Sequence, residues 1–258
     1  MTPTIFGILL AVLAVATIGT RADEPEDLLG APNAANHEFP FMAAILKNGV
    51  MFCGGALISN QMILTAAHCV HPLMTDKRAN VVIVTGSNIY YQGGQSHKVG
   101  RYFIHKNWNR PIGNGGPQFN NFDIGAIKLE APIQITANQR PIAIVDSTPA
   151  INTVGVIPGW GKTENGRVSS YLRKLAVKIV SIQECQRWYR YMDIQAHNLC
   201  VFRSVGRGIC SGDSGSPLIV GGKLGAVVSG GIKCAVGAPD ILTNANFMKR
   251  FINWALSQ

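Results

Sequence analysis

The chain has 258 residues, 47% of them hydrophobic and 14% charged, with a net charge of +9. That apolar fraction excludes an intrinsically disordered chain, and the length can bury a sizeable core as one large domain or two lobes. The 28 glycines and 13 prolines follow no period, which excludes a collagen-like or low-complexity chain.

The first element in chain order is the apolar run at residues 5–18, IFGILLAVLAVATI. It is shorter than the ~20 residues a spanning helix needs. Small residues follow it, and residues 1–22 read as a secretory signal peptide cleaved near Ala22. Its charged n-region is weak, and a retained anchor is the alternative. Residues 23–27 are a short acidic propeptide, DEPED. Residues 1–27 carry one Arg and four carboxylates; without them the remaining 231 residues carry 22 Lys+Arg against 10 Asp+Glu, a net +12. Secretion places the protein in an oxidising medium, where Cys53, Cys69, Cys185, Cys200, Cys210 and Cys234 form disulfides. Six cysteines pair in about 15 ways, so count alone fixes no connectivity. His68-Cys69-x-His71 has the look of a metal cluster but lacks the further ligands and free thiolate one needs. There is no N-x-[ST] sequon.

From residue 40 on the chain reads as strands. Residues 81–84, 124–129, 176–180, 217–220 and 224–228 are short and rich in β-branched residues, with turn formers such as Gly93-Gly94 and Gly221-Gly222 between them. This pattern indicates an all-β barrel or sandwich. Near the end, Phe247, Phe251 and Ala255 recur at a spacing of four beside Met248 and Ile252, which predicts one amphipathic helix capped by Asn244 or Asn246.

Three segments carry the chemistry. Residues 63–69 (ILTAAHC) set a histidine beside a cysteine after an apolar strand. Residues 121–129 (NFDIGAIKL) open a buried-looking strand with one carboxylate. Residues 210–217 (CSGDSGSP) hold Ser214 in a glycine-rich turn. A serine hydroxyl is a weak nucleophile that needs an adjacent base, and histidine is the side chain suited to that near neutral pH. A buried carboxylate then fixes the imidazole tautomer.

With these segments, and with Pro158-Gly-Trp-Gly161 and Cys53-Gly-Gly55 as further framework strings, the sequence resembles the chymotrypsin-like (trypsin-fold) serine endopeptidases from about Leu28 to the C-terminus. The chain order His, Asp, Ser matches this family and differs from the subtilisin and α/β-hydrolase orders. The resemblance implies two packed six-stranded antiparallel β-barrels with a C-terminal α-helix, the lobes dividing near residues 140–150. It implies His68 as general base then acid, Asp123 as the orienting carboxylate and Ser214 as the nucleophile. The amides of Gly212 and Ser214 would form the oxyanion hole, and Ser229 would donate to Asp123, with an ordinary strand serine as the alternative. The implied disulfides are Cys53–Cys69, Cys185–Cys200 and Cys210–Cys234.

The primary pocket is implied at Gly208, Ile209, Ser229, Gly230, Gly231 and Asp240. Trypsin-like enzymes carry an aspartate six residues before the nucleophile, where this chain has Gly208. Asp240 stands where those enzymes usually have glycine. That exchange is similar to the broad-specificity brachyurin-type serine collagenases of arthropods, and it implies cleavage after large apolar and basic residues. The alternative is that Asp240 turns outward. Gly230 replaces the tryptophan common in the family, which removes apolar surface from the cleft. The amine freed at Leu28 would pair with Asp213, but Leu28 follows Asp27 rather than an arginine or lysine.

No metal or other cofactor is expected, since residues 77–122 contain no Asp or Glu with which to hold calcium. The expected product is a secreted, extracellular monomeric zymogen of a serine endopeptidase, acting on protein or peptide substrates and meeting protein protease inhibitors. The competing reading is a non-enzymatic homologue binding a partner or a polyanion through its basic surface. No motif supports nucleic-acid binding, and no membrane association is expected once the signal is removed.

Overall fold

The computed structural model describes residues 31–108, 121–190 and 192–258. The leader, the acidic stretch and Leu28 lie outside the described residues. The first lobe contains β1 (Met42–Lys47), β2 (Val50–Leu57), β3 (Met62–Thr65), α1 (Ala67–Thr75), β4 (Val81–Thr85), β5 (Gln95–His97), β6 (Val99–Ile104) and β7 (Gly125–Leu129). Its sheet is antiparallel in the order β5-β4-β1-β2-β3-β7-β6. Counted by hydrogen bonding it has seven strands, not six. Only Lys98 separates β5 from β6, yet they form opposite edges. One stretch of chain, bent at Lys98 and bulged between Val99 and Arg101, therefore supplies both edges and joins them. Taken as one bent strand, it gives a six-membered half-barrel.

The second lobe contains β8 (Val154–Gly159), β9 (Arg173–Val180), α2 (Ile182–Trp188), β10 (Asn198–Phe202), β11 (Pro217–Val220), β12 (Lys223–Gly230) and β13 (Asp240–Asn244). Six strands close a barrel in the order β10-β13-β12-β11-β8-β9. Residues 130–153 connect the lobes without a named strand and bond to both. Ile142 N donates to Leu57 O at 2.9 Å, and Val145 N donates to Leu224 O at 3.1 Å.

The terminal helix α3 (Lys249–Leu256) starts later than the apolar spacing suggests. Met248 occupies the N-cap without a side-chain bond, while Asn244 Oδ1 accepts from Asn246 N and Phe247 N in the turn before it. Phe251, Ile252 and Ala255 are buried in the cluster that also holds the first-lobe residues Ile63, Ile83 and Ile127. The helix thus leaves the second lobe in sequence and packs on the first. Full burial of side chains of this size stabilises by about 1.5–3 kcal/mol each.

Two helices were absent from the strand reading. In α2 the Ser181 hydroxyl accepts from Glu184 N at 3.1 Å, a side-chain cap of the usual kind. In α1 the N-cap is Ala66, which offers no side chain, and Pro72 lies inside the helix. The cap for α1 comes from outside it, at the candidate site.

Candidate active site

His68 is the second residue of α1, where the backbone N–H has no partner within the helix. Asp123 Oδ1 accepts it at 2.9 Å. The other oxygen, Oδ2, accepts from His68 Nδ1 at 2.7 Å and from the Ser229 hydroxyl at 2.6 Å. Asp123 thus caps α1, orients the imidazole and is itself fixed from the second lobe. Thr243 Oγ1 adds a bond to the Asp123 carbonyl at 2.8 Å. The carboxylate is fully buried, whereas the His68 side chain keeps 27% of its surface exposed. Burial works to lower the His68 pKa, but the Asp123 charge and hydrogen bond outweigh it and hold the pKa above the usual imidazole value.

Asp123 follows Phe122, whose φ of 53° lies in the left-handed region that a bulky residue rarely adopts. The Phe122 ring is stacked between two imidazoles. His105 lies 5.1 Å away at an interplanar angle of 6°, and His197 lies 4.6 Å away at 13°. This sandwich holds the strained residue beside the carboxylate. The sequence reading did not find it, because the three rings come from distant segments.

Ser214 sits in the turn that precedes β11. The turn is tied to the first lobe: Gly54 N donates to Ser214 O at 2.8 Å, and Thr65 Oγ1 donates to Gly54 O at 2.8 Å. Ser214 Oγ is not hydrogen-bonded to His68, whose Nε2 lies 3.7 Å from Cys69 Sγ. Catalytic bonds in ligand-free sites are often loose and tighten when substrate arrives. Around the serine, the amides of Asp213, Gly215 and Ser216 donate to Cys210 O, Val228 O and Asp213 O. Among the described residues, the amides of Gly212 and Ser214 donate to no backbone carbonyl. Gly212 has φ +102°, and a Cβ there would lie 3.1 Å from Gly161 Cα, so the turn suits glycine. Two unspent N–H groups beside a serine are what a developing oxyanion requires.

Three disulfides frame this arrangement: Cys53–Cys69 behind the histidine, Cys185–Cys200 at α2, and Cys210–Cys234 between the serine turn and the pocket loop. Cys53, His68 and Cys69 bring their ligand atoms within 4.8 Å of one another, but both sulfurs are consumed in the disulfide and leave no thiolate for a metal.

Asp213 is fully buried. Its carboxylate accepts from Gly161 N at 2.8 Å and Cys210 N at 3.0 Å. Burial pushes it up to about 7 against the pull of these two bonds. Leu28, its expected partner, lies outside the described residues.

Next to Ser214 is a cavity of about 240 Å³, lined among others by Ile209, Ser211, Gly230, Gly231 and Lys233. Asp240 lies inward behind this lining, only 6% exposed, and not in an outward loop. Its Oδ2 accepts from Ile209 N at 3.2 Å. A Cβ at Gly231 would fall 2.8 Å from Oδ1, and one at Gly208 would fall 3.2 Å from Oδ2. Burial pushes the Asp240 carboxyl up to about 7, opposed by the Ile209 bond and aided by the Asp213 charge. The predicted pocket residues Gly208, Ile209, Gly230, Gly231 and Asp240 therefore gather at one place. Ser229 instead faces Asp123. Tyr189, not singled out from the sequence, lies near Gly231, where a Cβ would fall 3.8 Å from its hydroxyl, and that hydroxyl donates to Pro239 O at 2.5 Å.

The family model described as Trypsin matches residues 28–255. The chain belongs to the trypsin family. It is 32% identical to Trypsin beta of Drosophila erecta over 242 residues, covering 89% of this chain and 90% of that protein. It is 29% identical to Chymotrypsin-2 of Vespa crabro over 231 residues, covering 88% of this chain and 97% of that one. Among solved structures it is similar to neuropsin, a serine protease expressed in the limbic system of mouse brain. The TM-score is 0.77 at 26% identity, with 88% of this chain and 98% of that chain covered. This trypsin-family chain is a serine endopeptidase, a hydrolase whose substrates are proteins and peptides.

Proposed function

We propose that the chain is a secreted endopeptidase working through an acyl-enzyme at Ser214. The observation that carries this reading is the serine turn, whose Gly212 and Ser214 amides are unspent and whose Ser214 lines the cavity, alongside an imidazole held by the buried Asp123. Ser214 Oγ attacks the scissile carbonyl as His68 Nε2 takes its proton. The Gly212 and Ser214 amides hold the oxyanion. His68 returns the proton to the leaving amine, and water repeats the sequence to release the acid. Specificity is chymotrypsin-like or broad at P1, the residue before the scissile bond. Gly208 withholds the carboxylate of a trypsin-like pocket, and Asp240 supplies one from another wall. A peptide library diverse at P1 tests this, with Ser214→Ala as control; cleavage that persists in the control would end the reading.

Activation rests on a Leu28 amine reaching the buried Asp213 carboxylate. Terminal sequencing of the secreted protein checks it, and a mature terminus other than Leu28 contradicts it. A second reading, a non-enzymatic homologue that binds a partner or polyanion, draws on the missing Ser214–His68 bond, on Gly230 and on the mature charge. A folded chain that cleaves nothing and is retained on heparin until high salt would favour it.

A further inference from the structure

We propose that a cavity between α3 and the end of β6 is a second binding site, one that takes a fatty carboxylate, an anionic head on an unbranched apolar chain. The inference is independent of the peptidase reading. The cavity holds about 570 Å³, against about 240 Å³ for the one beside Ser214, and the two share no lining residue. A volume of this size suits a small organic ligand.

The walls call for an apolar body. Phe122, Phe247, Met248, Phe251 and Trp254 all line the cavity. Met248 and Phe251 are buried, whereas Phe247 and Trp254 leave 50% and 48% of their surface open. The rings brace one another: Phe251 lies 6.0 Å from Trp254 and 5.4 Å from His105. His105 also lines the cavity. Burial, with the Lys106 and His197 charges, holds its pKa below the usual imidazole value, so it joins the walls as a neutral ring. Two large aromatic side chains half in water within one lining are surface that a bound apolar chain would cover.

The head group is set by charge. Lys106 and Arg250 line the same cavity, and neither forms an ion pair among the described residues. Every lining residue falls within residues 77–122 or 241–258, and neither stretch contains an Asp or Glu. The adjacent carboxylate, Asp123, is fully buried and spends its oxygens on His68 and Ser229. The cavity therefore carries two cations and no counter-charge. A guanidinium holds a carboxylate through paired hydrogen bonds, and an ammonium adds a point charge. A sulfated polysaccharide would meet the cations but leave the aromatic walls in water. A neutral lipid would cover the walls but leave the cations unmatched. A fatty carboxylate satisfies both.

The test uses the full chain expressed in eukaryotic cells and reads binding, not cleavage. Decanoate, kept below its micelle concentration, is titrated by calorimetry into the unaltered chain, Arg250→Gln, Lys106→Gln, Trp254→Ala and the second-lobe control Lys178→Gln. The expected result is saturable binding of one decanoate per chain. Arg250→Gln and Lys106→Gln should each weaken it about three- to ten-fold. Trp254→Ala should weaken it about ten-fold, and Lys178→Gln should leave it unchanged. Decanol, the neutral match, should bind the unaltered chain and the two charge variants alike. Should Trp254→Ala fail to fold, the two exposed cations decide. Absence of saturable binding overturns the proposal, and so does decanoate binding that neither charge variant weakens. Retention on phosphatidylserine vesicles or on heparin without decanoate binding also overturns it, in favour of a bilayer or a polyanion.

Discussion

Ser229→Ala removes one of three hydrogen bonds to the Asp123 carboxylate and leaves the two from His68 in place. The acceptor is charged and fully buried, so no water replaces the lost donor. Hydrogen bonds to charged groups contribute about 1.5–3 kcal/mol, and the variant should lose stability in that range. The loss also has a sign at the histidine. With its Ser229 donor gone, the carboxylate is less compensated and draws more strongly on the imidazolium. Part of the lost interaction passes to His68, whose pKa rises further. The base must be neutral to act, so the acid limb of kcat/KM moves to higher pH, from a starting point already above the usual imidazole value. Urea unfolding and a pH profile of kcat/KM together check this. A variant with unaltered stability and an unmoved acid limb would refute the reasoning.

Gly212→Ala should fold with a strained turn and lose about 10²–10³ in kcat, because one oxyanion amide is misdirected; steady-state kinetics at saturating substrate measures it. Phe122→Ala gives up stacking against both His105 and His197, about 0.5–1.5 kcal/mol for each ring pair beyond area burial, and should lower both the melting temperature and kcat. In the uncleaved chain, Asp213 has a folded pKa of about 7, above its unfolded value near 4. The unfolded state then ionises first, so the stability of the uncleaved chain should fall as pH rises through that window, by up to about 4 kcal/mol, and stay level above it. Asp213→Asn should flatten the dependence in denaturant melts at several pH values.

Much of the second lobe was legible as β-branched runs between turns, because buried barrel strands demand those residues; residues 217–220 coincide with β11. The three chemical segments were legible too, since each sets a polar residue in an otherwise apolar or glycine-rich context. The half-barrel form of the first lobe was not. It depends on one bent stretch of chain at Lys98, which periodicity reads as two short strands or as none. Helix α2 carried its signal in Ser181 and Glu184, a capping spacing that the strand-rich surroundings obscured. Helix α1 carried almost none, because its N–H cap is Asp123 from far along the chain. The inward aim of Asp240 was expected only through the family resemblance, with an outward turn as the alternative. It follows from two glycines and a backbone donor that share a wall only after folding.

The most direct measurement of the central claim is covalent labelling with a sulfonyl fluoride, read by peptide mass spectrometry alongside loss of cleavage. The account predicts one label per chain on Ser214, loss of activity in proportion to labelling, and no label in Ser214→Ala or when His68 is protonated. Label at another residue, or cleavage that survives full modification of Ser214, would contradict it.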